Sequence, residues 1–201
     1  FDDYKNNNFL KNITKRNAFN IISISNIKLM KGQDRVLRTI KNLNNLKINL
    51  IFISPKPAKF NLYYLVIKFL SKILQMKCKN IKIFFLFNLN QKNTKSALKE
   101  SDLFIHGSRV ECSPLVMFES FAASKPFFST DVGNVNEIIS KDKNLGFVNN
   151  NLQLLSKKIS DYLTLDNVTK KNIENKIYQI YKKNYDWKII LKKYEKIYYN
   201  L

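Results

Sequence analysis

The chain has 201 residues, 45% hydrophobic and 25% charged, with four Gly, four Pro and two Cys. That suits one domain with a full core, and it excludes a disordered chain, a Gly/Pro-rich repeat, a disulfide framework and a Cys-built zinc site. The formal net charge is +20, which brings anionic partners into view: nucleic acid, acidic lipid headgroups or phosphorylated substrates.

Residues 1–17 are polar and Asn-rich and read as a linker. From there, apolar runs of strand length alternate with segments of helical period. Phe19 to Ser25 reads as a buried strand. Asp34 to Leu46 is helical, with Val36, Leu37, Ile40 and Leu43 on one face. Ile48 to Ser54 is the next strand, closed by Pro55 and Pro57. Tyr63 to Met76 is a helix, Ile81 to Phe87 a strand, and Thr94 to Glu100 a short helix with Thr94 as its N-cap. Leu103 to His106 is a short strand and Pro114 to Ala123 a helix. Strands follow at Pro126 to Thr130 and Gly146 to Val148. Helices at Leu152 to Leu163, Val168 to Tyr185 and Asp186 to Tyr199 close the chain, the last carrying Trp187. Such alternation predicts an α/β fold: a Rossmann-like, mostly parallel sheet with helices on both faces. Ligands of such sheets bind at the carboxyl ends of the strands.

Several classes drop out. No apolar run reaches the ~18 residues of a membrane span, because Leu62 to Met76 is interrupted by Lys68, Ser71 and Lys72. No G-x-G-x-x-G fingerprint is present, against an ordinary dinucleotide oxidoreductase. One histidine, His106, and two cysteines, Cys78 and Cys112, make no metal site and favour a reduced, cytoplasmic setting. Only four of the 35 basic residues are arginines. The abundance of Lys, Asn, Ile, Phe and Tyr also fits AT-rich codons, so codon bias competes with an anionic partner as the origin of the charge. Base readers favour arginine, which argues against nucleic acid. Either origin leaves a basic surface suited to peripheral contact with an anionic membrane face.

Three post-strand segments carry candidate chemistry. In Asn26 to Gly32, Lys31 could meet a phosphate, or it is one solvated lysine among many. In Gly107 to Ala123, Ser113 reads as an N-cap with Pro114 as the first helical residue, so the helix start is an anion site. Glu111 and Glu119 flank that start and could bracket a ligand, or merely be a loop acid and a dipole partner. In Thr130 to Glu137, Gly133 and Asn134 suit a tight loop at the same sheet edge, or the segment is an ordinary strand-to-helix turn.

The order of these pieces resembles the donor-binding half of glycosyltransferase family 4, the retaining, metal-independent enzymes of GT-B fold. The matching stretches are SNIKLMKGQDRVLRTI, ALKESDLFIHGSRVECSPLVMFESFAASKPFFSTDVGNVNEII, LGFV and YDWKIILKKYEKIY. The family's Glu-x7-Glu signature falls on Glu111 and Glu119. The resemblance implies a nucleoside diphosphate sugar as donor substrate, no cofactor and no metal. It gives Glu111 and Lys31 to the reaction centre, on the sugar hydroxyls and the diphosphate. It gives Glu119 to the ribose, and the backbone of Ser113, Leu115 and Val116 to phosphate or sugar. Phe87, Asn88 and Leu89 would lie near the base, with Gly133 at the same edge. Many relatives carry arginine where this chain has Asn26, and Arg109 could replace that cation. The implied organisation is a linker remnant at 1–17 and a donor domain over 18–201. The acceptor domain is expected to lie outside the chain, leaving it nearly inactive alone. The implied role is hexose transfer to a bacterial cell-envelope polysaccharide or lipid-linked acceptor; a non-catalytic nucleotide-binding module is the alternative.

Overall fold

The computed structural model describes residues 8–14 and 17–199. Six strands, β1 (Phe19–Ile24), β2 (Ile48–Ser54), β3 (Ile81–Phe87), β4 (Leu103–His106), β5 (Phe127–Ser129) and β6 (Gly146–Val148), form one parallel sheet in the order β3-β2-β1-β4-β5-β6. Around it pack α1 (Gln33–Lys41), α2 (Leu62–Lys77), α3 (Gln91–Glu100), α4 (Leu115–Ala122), α5 (Val135–Ile139), α6 (Leu152–Leu163) and α7 (Asn167–Asn184), followed by α8 (Trp187–Tyr199).

The nearly continuous apolar strands are explained by two separate cores. Side chains alternate across a strand. Thus Ile21, Leu50 and Leu103 enter one core while Ile22, Ile51 and Phe104 enter the other. The first is closed by α1, α2 and α6 through Val36, Ile40, Ile67, Leu155 and Ile159. The second is closed by α3, α4, α5 and α7 through Leu98, Met117, Phe121, Val135 and Ile177. Every residue of β2 is buried. Burying a side chain of this size is worth about 1.5–3 kcal/mol.

Several local expectations change. Asn90, not Thr94, caps α3, its side chain accepting from the Asn93 N–H at 2.8 Å. Thr94 lies inside the helix and returns its hydroxyl to the Asn90 carbonyl at 3.0 Å. A short α5 follows the turn at Gly133 and Asn134 and takes in the last residues of the Thr130–Glu137 segment. Within 1–17, the positions 1–7 and 15–16 lie outside the described residues. Between them Leu10 is buried, and its N–H and that of Phe9 each donate to the Glu100 carboxylate at 2.8 Å.

Candidate functional site

β1 and β4 are neighbours whose following helices lie on opposite faces of the sheet, so a crevice opens between the loops that leave them. The two loops cross backbone to backbone. A Cβ on Gly32 would stand 1.9 Å from the Gly107 carbonyl oxygen, and one on Gly107 would stand 2.5 Å from that of Gly32. Gly32 also has φ +62°, a left-handed conformation that a side chain would strain. The crossing is tied by the Arg109 N–H to the Met30 carbonyl at 2.7 Å and by the Ser108 hydroxyl to the same carbonyl at 2.8 Å.

This crossing brings together residues 80 positions apart: Lys31 Nζ lies 2.5 Å from Glu111 Oε1. Beneath them the His106 ring, 2% exposed, points Nε2 at the same oxygen from 3.4 Å without a hydrogen bond. Burial pushes His106 down to about 4; the Glu111 carboxylate opposes that shift and the Lys31 ammonium adds to it. His106 is therefore a neutral imidazole at neutral pH. Three buried side-chain polar atoms at this sheet edge lack a partner among the described residues: His106 Nε2, Gln33 Oε1 and Asn134 Oδ1. Such orphans are uncommon in protein interiors, and three of them gather at this edge.

A third loop sets the height of Glu111. Gly133, at φ +54°, lies so close that a Cβ there would meet the Cys112 carbonyl oxygen at 2.1 Å and that of Glu111 at 2.8 Å. The Asn134 N–H donates to the Cys112 carbonyl at 3.0 Å, and Asn134 Nδ2 donates to Ser113 Oγ at 3.0 Å. Ser113 is thus held by Asn134 and does not cap the helix. Pro114 is the N-cap of α4 and makes no side-chain cap bond. The N–H groups of Leu115 and Val116 have no intrahelical acceptor, and the positive end of the helix dipole faces the edge.

An open pocket of about 460 Å³ adjoins this point. The ends of β1, β2 and β3 supply Ile24, Ser25, Asn26, Ile53, Ser54, Pro55, Asn88 and Leu89, with Thr94 and Val116 completing the wall. Gln33, itself buried, donates from Nε2 to Ser25 Oγ and the Asn26 carbonyl, both at 2.9 Å, fixing the turn after β1. Val116 joins the pocket to the tip of α4. Glu119 sits one turn further on the same helix side. Glu119 is exposed as a residue, yet desolvation by the surrounding chain holds its carboxyl above the ordinary value, with Lys95 of α3 opposing that shift.

Thus Lys31, Glu111, Leu115 and Val116 gather at the crossing, and Asn26, Asn88 and Leu89 line the pocket beside it. Two expected residues are engaged elsewhere. The Arg109 guanidinium grips Asp34 with two bonds of 2.7 and 2.8 Å and donates a third to the Leu29 carbonyl at 2.7 Å. The Phe87 ring packs edge-on against Tyr64 of α2 at 5.7 Å and does not line the pocket. Ile24, Ser25, Ile53, Ser54, Pro55 and Thr94 also line the pocket without having been expected there, although all but Thr94 sit at strand ends where such sheets bind ligands. Among the described residues, no cluster of three or more His, Cys, Asp or Glu side chains could hold a metal ion.

The parallel sheet with its crevice at the β1/β4 switch defines a Rossmann-like domain of the kind found in GT-B glycosyltransferases. The family profile for glycosyl transferases group 1 matches residues 5–179, so the chain belongs to that family. No curated protein sequence matches it significantly. Among solved structures it is similar to a glycosyltransferase from Rickettsia africae, with TM-score 0.80 and 20% identity, covering 98% of this chain and 52% of that one. It is also similar to sucrose-phosphate synthase from Thermosynechococcus elongatus, with TM-score 0.78 and 13% identity over 98% and 49% of the two chains. A third is WaaG, a glycosyltransferase involved in lipopolysaccharide biosynthesis, with TM-score 0.66 and 19% identity over 88% and 46%. The chain spans about half the length of these structures.

Proposed function

We propose that the chain is the donor-binding half of a retaining, metal-independent hexosyltransferase of glycosyltransferase family 4. Its donor is a nucleoside diphosphate sugar, and its acceptor is a polysaccharide or lipid-linked glycan presented by a further domain. The observation that carries this reading is the meeting of Lys31, Glu111 and the open end of α4 at one loop crossing beside a pocket of about 460 Å³.

The diphosphate lies between the Lys31 ammonium and the first N–H groups of α4. As the glycosidic bond breaks, negative charge grows on the departing phosphate oxygen. A fixed cation and a helix dipole aimed there stabilise that charge more in the transition state than in the bound donor. In the free chain Lys31 is paired with Glu111, so donor entry exchanges that carboxylate for phosphate. Glu111 is then released to accept hydrogen bonds from the sugar hydroxyls. Neutral His106 beneath it supplies a ring nitrogen to the same cluster. The nucleoside extends into the pocket after β1–β3, with Glu119 at the ribose hydroxyls.

Thermal shift with UDP-, GDP- and ADP-hexoses, in chelator, tests the reading. At least one should raise the melting temperature, and Glu111→Ala with Glu119→Ala should abolish the rise while leaving any nucleic-acid binding intact. A rise that survives the double change, or none with any nucleotide sugar, contradicts it. The chain alone should transfer little sugar. A non-catalytic nucleotide-binding module would share these contacts and differ only by failing to turn over once an acceptor domain is supplied.

A further inference from the structure

Helix α2 is apolar on two opposite sides. Ile67, Ser71 and Leu74 are buried against the sheet. At 100° per residue, Leu62, Leu65, Val66, Phe69, Ile73 and Met76 fall on the other side. All but Ile73 are exposed, by 44% to 74%, and Phe60 just ahead of the helix is 86% exposed. Scattered exposed apolar residues need no explanation, but a stripe running the length of one helix does.

The surroundings of the stripe select its occupant. Lys68 and Lys72 run along one border and Lys77 stands on the other, while Lys56 and Lys59 precede the first turn; all five are exposed. From residue 35 to residue 99 the chain has 14 Lys and Arg and no Asp or Glu. A surface that meets α2 must be apolar where the stripe lands and negative around it. An anionic bilayer offers both, with acyl chains below and phosphates at the level of the lysines. A second copy of this basic chain would bring like charge against like. We infer that α2, with Phe60, docks this protein on an anionic membrane, lying in the plane of the interface.

The orientation has a consequence for the pocket. α2 follows β2 through residues 55–61, and Pro55, the first of these, lines the pocket wall. Docking through the first turns of α2 therefore sets the rim of the pocket beside the headgroups. The docking itself needs nothing from the donor site, so either can fail alone.

The test is co-sedimentation of the chain with vesicles of phosphatidylcholine alone and of phosphatidylcholine mixed with phosphatidylglycerol. Binding to the anionic vesicles is expected, with at least tenfold weaker binding to the neutral ones. Leu65→Glu with Phe69→Glu, both on the solvent side, should lower anionic binding at least tenfold with an unchanged circular dichroism spectrum. Lys68→Glu with Lys72→Glu should do so by about tenfold. Depth is read separately with Phe69→Trp in a Trp187→Phe background, whose emission brominated acyl chains should quench. Absence of vesicle binding overturns the inference, and so does full binding by the Leu65/Phe69 double variant. Quenching of Trp187 in the parent chain without quenching at position 69 would mean that another face docks. Concentration-dependent self-association through position 69 without lipid would give the stripe to a second copy.

Discussion

The two halves of the sheet are built from different charges. On the β3-β2-β1 side, residues 35–99 hold no carboxylate, and this side carries most of the pocket wall and a lysine-bordered helix. On the β4-β5-β6 side, residues 100–201 hold 12 of the 15 Asp and Glu. The halves meet between β1 and β4, and both ion pairs at that seam cross it: Lys31 with Glu111, and Asp34 with Arg109. Opposite charges meet at the crevice because the segments that follow β1 and β4 cross there, Lys31 and Asp34 coming from the first and Arg109 and Glu111 from the second. Neither half alone would make the constellation.

Breaking the seam should have the largest effect. Gly32→Ala must move the Gly107 backbone and strain φ, and we expect a loss on the order of 3 kcal/mol in urea unfolding together with loss of nucleotide-sugar binding. Removing one charge from the seam comes next. Lys31→Ala should weaken binding of a nucleoside diphosphate by about 2 kcal/mol in calorimetry, the order of a charge-assisted bond. The Glu111→Gln variant should lose affinity for the sugar nucleotide more than for the bare nucleoside diphosphate.

The second ion pair should matter for stability and little for ligand. Burial alone would raise the Asp34 carboxyl, but bonds from Arg109 and Tyr63 outweigh it and hold it below 3.8. Its contribution is present above that value and is lost as pH falls through the depressed folded value. Asp34→Asn should cost about 1 kcal/mol at neutral pH, since the pair is part-exposed and screened.

The smallest effect at neutral pH belongs to His106. Its folded value of about 4 lies below the ordinary 6.5, so the unfolded chain binds the proton first. Stability is intact above 6.5 and falls progressively as pH drops from 6.5 towards 4. Melting temperatures of His106→Gln and the parent should agree more closely in their pH slope at pH 7–8 than at pH 5–6, where the parent should fall more steeply.

Much of the fold was legible because β1, β2 and β3 lie between two helix layers and so carry nearly continuous apolar runs, interrupted inside only at Asn20, Ser23, Asn49 and Lys82. Strand alternation separates Phe87 from the pocket, because it shares a side with Phe85, which faces the α2 core. The caps were harder. Asn88, Asn90 and Asn93 crowd the start of α3, and local pattern does not choose among them. Ser113 looks like a cap in sequence, but its hydroxyl is taken by Asn134, 21 positions on. Lys31 stands out in sequence by its place after β1 and by the resemblance, while its pairing with Glu111 was hidden because the two are 80 residues apart.

Hydrogen exchange with and without a nucleotide sugar tests the central claim most directly. Donor binding at the seam should protect residues 24–34, 88–90 and 106–119 in the same titration. Protection confined to the opposite edge, around 143–165, with those three segments unchanged, would contradict it.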